Sequence, residues 1–345
     1  MLLARLAISS RISLFLLRLH LLPFLFYIES RIAIPSIHID TAHSLIIRLL
    51  KCEADGRLTI TKDIYKDIPP YAILSHTWGG DDDEVTFADI TNNRGKDKAG
   101  YRKIEFCGKQ AAADGLLYFW VDTCCIDKSS SAELQEAINC MFRWYKDSNK
   151  CYVYLPDVSR LGSGGGSSAG WSALAVQSLF PPSSFIAPSS FPETWETAWL
   201  PAFRKSRWFT RGWTLQELIA PASVEFFSKE GIRLGDKRSL EEHIQAIAGI
   251  PAQIIRGHSV SDCSVPERMA WIEHRETSRQ EDKAYSLLGI FDVHIPMLYG
   301  EGRERAFQRL WKEVNWSPHE LSETKGSTPK WITGSVYLPR LHALS

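Results

Sequence analysis

The stretch "RGWTLQELIAP", residues 211–221, sets Trp213 four residues before Glu217 on a segment that Pro221 stops. An acid and an indole at that spacing suit two roles: a catalytic carboxylate with an aromatic platform, or a solvated surface charge beside a packed tryptophan. On a helix, residues i, i+3 and i+4 share a face. Trp213, Gln216 and Glu217 are then expected to line a cleft, with Leu215, Leu218 and Ile219 packed on a sheet. The competing role for Glu217 is an acceptor for Arg207 or Arg211. Arg211 suits bidentate phosphate binding or pairing with a local carboxylate.

The elements that must position these groups follow from pattern. "YAILSH" (71–76), "LLYFWVD" (116–122), "CYVYLPDV" (151–158) and "SVEFFS" (223–228) are short apolar runs bounded by turn signals, as buried strands are. Between the first two, Ile104, Cys107 and Ala111 recur at helical spacing until Gly115. Ser130 with Glu133 forms a capping-box pattern ahead of the stripe Leu134, Ile138, Met141, Phe142 and Tyr145. Residues 239–250 read as another helix. Ser264 and Glu267 repeat the box, "EDKAYSLLGIF" reads as a helix closed near Gly289, and residues 303–314 carry a second apolar stripe.

Strand and helix alternate, so the expected class is α/β: a mostly parallel, flavodoxin/TIR-like sheet flanked by helices, with a C-terminal helical extension. In such sheets ligands sit beyond the carboxyl ends of the strands. That rule points to His76, Thr77 and Trp78, to Asp122 and Asp127, and to the segment after Pro156. Each has a structural alternative: a packed turn for His76–Trp78, and a helix cap for Asp122 and Asp127. Gly79-Gly80 would let a phosphate approach the backbone, but two glycines alone are a weak signal. Asp81–Glu84 reads as a solvated loop, and Glu281, Asp282 and Lys283 as ion pairing at a helix start.

The 40 basic and 40 acidic residues cancel, which removes the field that draws proteins to nucleic acid. Seven cysteines without a C-x-x-C pair read as buried or incidental thiols of a reducing compartment, and no metal site is expected. Residues 1–45 do not match the rest: the start is apolar, carries Arg5, Arg11 and Arg18, and has no acid before Glu29. Arg18, His20 and Pro23 interrupt it, against a secretory signal or a membrane span. It is expected to lie outside the folded unit, with membrane contact by residues 1–30 or targeting as alternatives. The folded domain is expected over 46–314, with a Gly/Ser/Pro-rich insertion at 160–195 and an irregular tail at 315–345.

"PPYAILSHTWG", "YFWVDTCCIDK", "SAELQEAINCMFRWYKDSNKCYVYLPDVS", "SRWFTRGWTLQELIAPASVEFFS" and "RQEDKAYSLLGIFDVHIPMLYGEG" together resemble the heterokaryon incompatibility (HET) domain of filamentous fungi, from about Leu49 to Val314. The resemblance implies a role in non-self recognition, where the domain triggers programmed cell death after incompatible hyphae fuse. It implies a cytoplasmic location and partners among other incompatibility or death-signalling proteins, or copies of the chain itself. More distantly, HET domains resemble TIR domains. Many of those carry a W-C-x-x-E element after the third strand, whose glutamate is catalytic where NAD is cleaved. Here that position reads Trp213-Thr214-Leu215-Gln216-Glu217, with threonine in place of cysteine.

What this implies is NAD as substrate or ligand, with no cofactor required. Glu217 would stabilise the oxocarbenium-like state of nicotinamide–ribose cleavage, and its loss would cost on the order of a hundredfold in rate. Trp213 would stack on a base or the nicotinamide, Asp122 would take ribose hydroxyls, His76 and Trp78 would flank the ligand, and Arg211 would hold a phosphate. Two other readings stand beside this one: a non-catalytic module that signals by self-assembly or protein contact, and a shortened member without a sensor region.

Overall fold

All six residues of Tyr71–His76 are buried, as a strand with neighbours on both edges and both faces requires. The structure, a computed structural model, describes residues 46–160 and 198–315. Within them one sheet holds seven strands: β1 (Leu50–Cys52), β2 (Leu58–Ile60), β3 (Tyr71–His76), β4 (Tyr118–Trp120), β5 (Lys150–Tyr154), β6 (Val224–Phe227) and β7 (Arg233–Asp236). Their order is β2-β1-β4-β3-β5-β6-β7.

The sheet is mixed, which corrects the expectation of a mostly parallel one. The four strands anticipated from sequence, β4-β3-β5-β6, do run parallel. Three more were not anticipated: the β1–β2 ribbon and β7 pair antiparallel along the two edges. These three are three or four residues long and not fully buried. A half-buried edge strand lacks the continuous apolar run that marks a central one. The flavodoxin/TIR-like description is therefore too narrow for the sheet as built.

The helices are α1 (Phe87–Thr91), α2 (Tyr101–Ala113), α3 (Ser131–Asp147), α4 (Leu200–Arg204) and α5 (Thr214–Ile219). After β7 come α6 (Glu241–Ala248), α7 (Ala252–Ile255), α8 (Val265–Glu273), α9 (Asp282–Tyr285), α10 (Leu288–Phe291) and α11 (Arg303–Val314). Tyr71 and Tyr145 tie α3 to the central strand: the Tyr71 hydroxyl donates to Trp144 O and that of Tyr145 to Leu74 O, at 2.5 and 3.0 Å. Both phenols are buried, so each needs this partner.

Local signals were read unevenly. The Ser264–Glu267 capping box forms in full. At α3 only half of the expected box forms: Ser130 accepts from Glu133 N, but the Glu133 carboxylate accepts from Asp127 N at 2.6 Å and pairs with Arg48 at 2.6 Å. "EDKAYSLLGIF" is two short helices, α9 and α10, and Gly289 lies inside the second. A Cβ there would fall 2.1 Å from Phe142 Cβ, so glycine allows α10 to touch α3; the left-handed cap is Asp292, φ 54°.

The expected N-terminal extension, the insertion beyond Arg160 and the tail beyond Asn315 lie outside the described residues. Among those described, no helix is long and apolar enough to cross a membrane.

Candidate functional site

Parallel strands β3 and β4 both end at one edge of the sheet, so the residues that follow them are brought together. A cavity of ≈ 250 Å³ opens there. Its lining includes six of the residues singled out from sequence, His76 and Trp78 after β3, Asp122 after β4, and Arg211, Trp213 and Glu217 at α5, but not Thr77 or Asp127. At this volume the cavity is at the small end for ligand sites, which start near roughly 300 Å³.

Helix α5 does not present the expected two faces. Residues 214–219 are all buried. Gln216 is 1% exposed, is absent from the cavity wall, and its Nε2 has no hydrogen-bond partner. The helix is too short and too enclosed by β3, α3 and α7 to have a solvent side. Only Trp213, at its start, and Glu217 reach the cavity.

Glu217 is 7% exposed. Neither Arg207 nor Arg211 forms an ion pair with it. Its Oε2 instead accepts from the Ser75 hydroxyl. The Trp208 indole donates to that same hydroxyl oxygen at 2.7 Å, which fixes the direction of the chain: Trp208 to Ser75 to Glu217. Burial pushes the Glu217 carboxyl up to about 8. The Ser75 bond and the Arg211 charge offset part of the rise, and Asp122 adds to it. The raised value favours the protonated form of Glu217 near neutral pH.

Asp122 goes the other way. Burial alone would raise its carboxyl, but His76, the Lys128 charge and the Trp78 indole outweigh it and hold Asp122 well below the usual carboxylate range. His76 Nε2 lies 3.0 Å from Oδ1, and Trp78 Nε1 donates to Oδ2 at 2.8 Å. The helix-cap alternative for Asp122 is thus replaced by a tie between two strand ends. Asp127 is not a helix cap either: Ser130 caps α3, and Asp127 accepts from Ser129 N at 3.0 Å in the turn before it. His76 Nδ1 is buried and has no hydrogen-bond partner.

The remaining wall comes from far along the chain. Gly212 N donates to Glu276 O at 2.8 Å and Glu276 N to Thr210 O at 2.6 Å. A Cβ on Gly212 would stand 2.5 Å from Thr277 Cγ2, so only glycine lets the two segments lie this close. Arg275, 3% exposed, donates from Nη1 to Arg211 O and to Thr214 Oγ1, both at 2.9 Å. It pins the turn that carries Arg211 and Trp213. Burial lowers its guanidinium to about 10, still charged at neutral pH.

Sequence reasoning missed Ser75, Lys128, Glu276, Arg279, Asp282 and Tyr299. Ser75 had a signal, since a hydroxyl inside "YAILSH" needs a buried partner. Asp282 was read as helix-start ion pairing. Instead it faces the cavity and accepts from the Tyr299 hydroxyl at 2.9 Å and from the Trp213 indole at 3.4 Å. Its neighbours are also unpaired with each other: Glu281 accepts from Gly300 N and Gly302 N, and Lys283 donates to Glu273 O. The supposed solvated loop at 81–84 ends in a buried Glu84 that pairs with Lys103 and accepts from Gly79 N at 2.7 Å. That bond, with Asp83 accepting from Gly80 N, occupies the amides once considered for a phosphate.

Residues 71–217 match the heterokaryon incompatibility protein (HET) family. Over 285 residues, 82% of this chain, the sequence is 50% identical to the vegetative incompatibility protein HET-E-1 of Podospora anserina. The chain spans about a fifth of that curated relative, 19% of its length. No solved structure matches the chain.

Proposed function

The chain carries a fungal heterokaryon incompatibility (HET) domain, and from that premise we propose that it acts in non-self recognition and cell death by cleaving a nicotinamide dinucleotide at the cavity beside Glu217. One observation carries the reading: Glu217, the only carboxyl of that cavity expected to act in catalysis, faces a void and not an arginine.

In this scheme the nicotinamide–ribose C–N bond breaks and its electron pair leaves with neutral nicotinamide. The ribose carbon takes on positive charge, which the Glu217 carboxylate stabilises. Water then adds to that carbon and gives up a proton, leaving ADP-ribose. The pyridinium of the bound dinucleotide favours the ionised form of a buried acid, so binding itself draws the proton from Glu217. Asp122, already ionised, accepts ribose hydroxyls, and the Trp213 ring supplies a stacking surface. His76 and Trp78 hold Asp122 in place.

A second reading has its own support. Glu217 accepts a hydrogen bond from Ser75 and is buried with a raised carboxyl, which also suits a structural acid in a module that works by protein contact. Expression of the chain and of Glu217→Gln in a fungal host, with NAD content and viability followed together, separates the two. The catalytic reading expects NAD loss and death with the parent chain only. Death at steady NAD favours the contact module, and NAD loss that survives the substitution removes Glu217 from the chemistry.

A further inference from the structure

Two aromatic side chains of the cavity are dressed alike. Trp78 donates its N–H to Asp122 and carries the Lys128 ammonium over its ring, 3.7 Å from the centroid. Tyr299 donates its hydroxyl to Asp282 and carries the Arg279 guanidinium over its ring at 4.1 Å. In neither set does the cation form an ion pair with the carboxylate. A contact through the ring face leaves the N–H donors of a cation unspent. Arg211, on the same cavity, also has no carboxylate within ion-pair distance among the described residues.

Three of the four carboxyls on the wall, by contrast, already accept hydrogen bonds, and the fourth, Glu276, is exposed. Ser75 bonds Glu217, His76 and Trp78 bond Asp122, and Tyr299 and Trp213 bond Asp282. Three cations with free donors, set among carboxyls of which three already accept hydrogen bonds, are matched to an anion. Lys128 and Arg279 are exposed and Arg211 is half-buried beside Glu217, so the cations run from the mouth inward. Three cations exceed what one phosphate needs and suit a bridging diphosphate.

We propose that Lys128, Arg211 and Arg279 form a diphosphate clamp, so that the cavity takes diphosphate-bridged nucleotides and rejects nucleosides. The clamp rests on the dinucleotide reading above and names the part of the ligand that would fix it.

The test is calorimetric binding to the full chain of three probes: ADP-ribose, nicotinamide riboside and inorganic pyrophosphate. Thermal melts confirm that each variant is folded. ADP-ribose is expected to bind the parent chain, with nicotinamide riboside about a hundredfold weaker. Lys128→Gln and Arg279→Gln each weaken ADP-ribose about tenfold and together about a hundredfold. Lys109→Gln, which removes an exposed lysine of α2 paired with Glu105, leaves it unchanged.

Failure of the folded parent chain to bind ADP-ribose, or unchanged binding in the double variant, overturns the clamp. Equal affinity for pyrophosphate and ADP-ribose overturns the nucleotide part. The two proposals fail separately. ADP-ribose binding without NAD cleavage keeps the clamp and removes the reaction. Cleavage at unchanged KM in the double variant keeps the reaction and removes the clamp.

Discussion

Asp122 and Glu217 line one cavity, yet their surroundings push them in opposite directions. Asp122 sits at the strand-end wall, where an imidazole, an indole and a lysine hold it ionised. Glu217 sits at the α5 wall, where a single hydroxyl cannot make up for burial, and its carboxyl stays up at about 8. The difference lies in how many donors each wall supplies, not in depth alone. Two carboxyls separated in this way are suited to different tasks, one accepting hydrogen bonds and one changing charge during a reaction.

The largest effect expected from breaking this contrast is on stability against pH. A Glu217 held at about 8 when folded, against an ordinary 4.5, binds its proton more tightly in the folded chain. Between those values the folded state holds more protons than the unfolded one, so stability falls as pH rises. The contribution is full below about 4.5 and lost through about 8, a change of roughly 5 kcal/mol. Denaturant unfolding from pH 5 to 9 should show this decline, and Glu217→Gln should flatten it. An equal decline in the variant would assign the slope to another group.

Next is the opposite wall. Asp122→Asn should destabilise the fold by about 2 kcal/mol at pH 7, because His76 and Trp78 lose a charged acceptor. It should also move the Glu217 decline to lower pH, since the Asp122 charge is one cause of the raised value. A decline at the same pH would show that the two carboxyls do not sense each other.

The strand-end wall was the legible one. His76, Trp78 and Asp122 follow buried strands, and the rule for strand ends found them from pattern alone. Glu217 and Trp213 were found by spacing, but the face assignment put Gln216 beside them, because helical periodicity says nothing about what encloses a helix from behind. Asp282, Arg279 and Tyr299 were out of reach. They join the site through a contact between Gly212 and Thr277, residues 65 positions apart, and no local pattern announces that pairing. The parallel centre of the sheet was readable for the same reason that its edges were not: buried strands are continuous apolar runs, and short edge strands are not.

That long-range contact offers a smaller test. Gly212→Ala should cost about 1–3 kcal/mol by driving a methyl into Thr277 Cγ2. Thr277→Ser removes that methyl and should restore most of the loss, as measured by thermal melts of the single and double variants. Failure to rescue would mean that the cost lies in the Gly212 backbone itself. The smallest effect is outside the cavity: Ser264→Ala removes one member of a complete capping box and should cost about 1 kcal/mol without moving ligand binding.

The most direct measurement is nicotinamide release from NAD by the purified chain, followed from pH 6 to 9 beside Glu217→Gln. A carboxylate that must ionise predicts kcat/KM that climbs with pH and is half-maximal near pH 8, and a Gln variant slower by about a hundredfold or more. Release that ignores both pH and the substitution, or none from a folded parent chain supplied with NAD, would contradict the role given to Glu217.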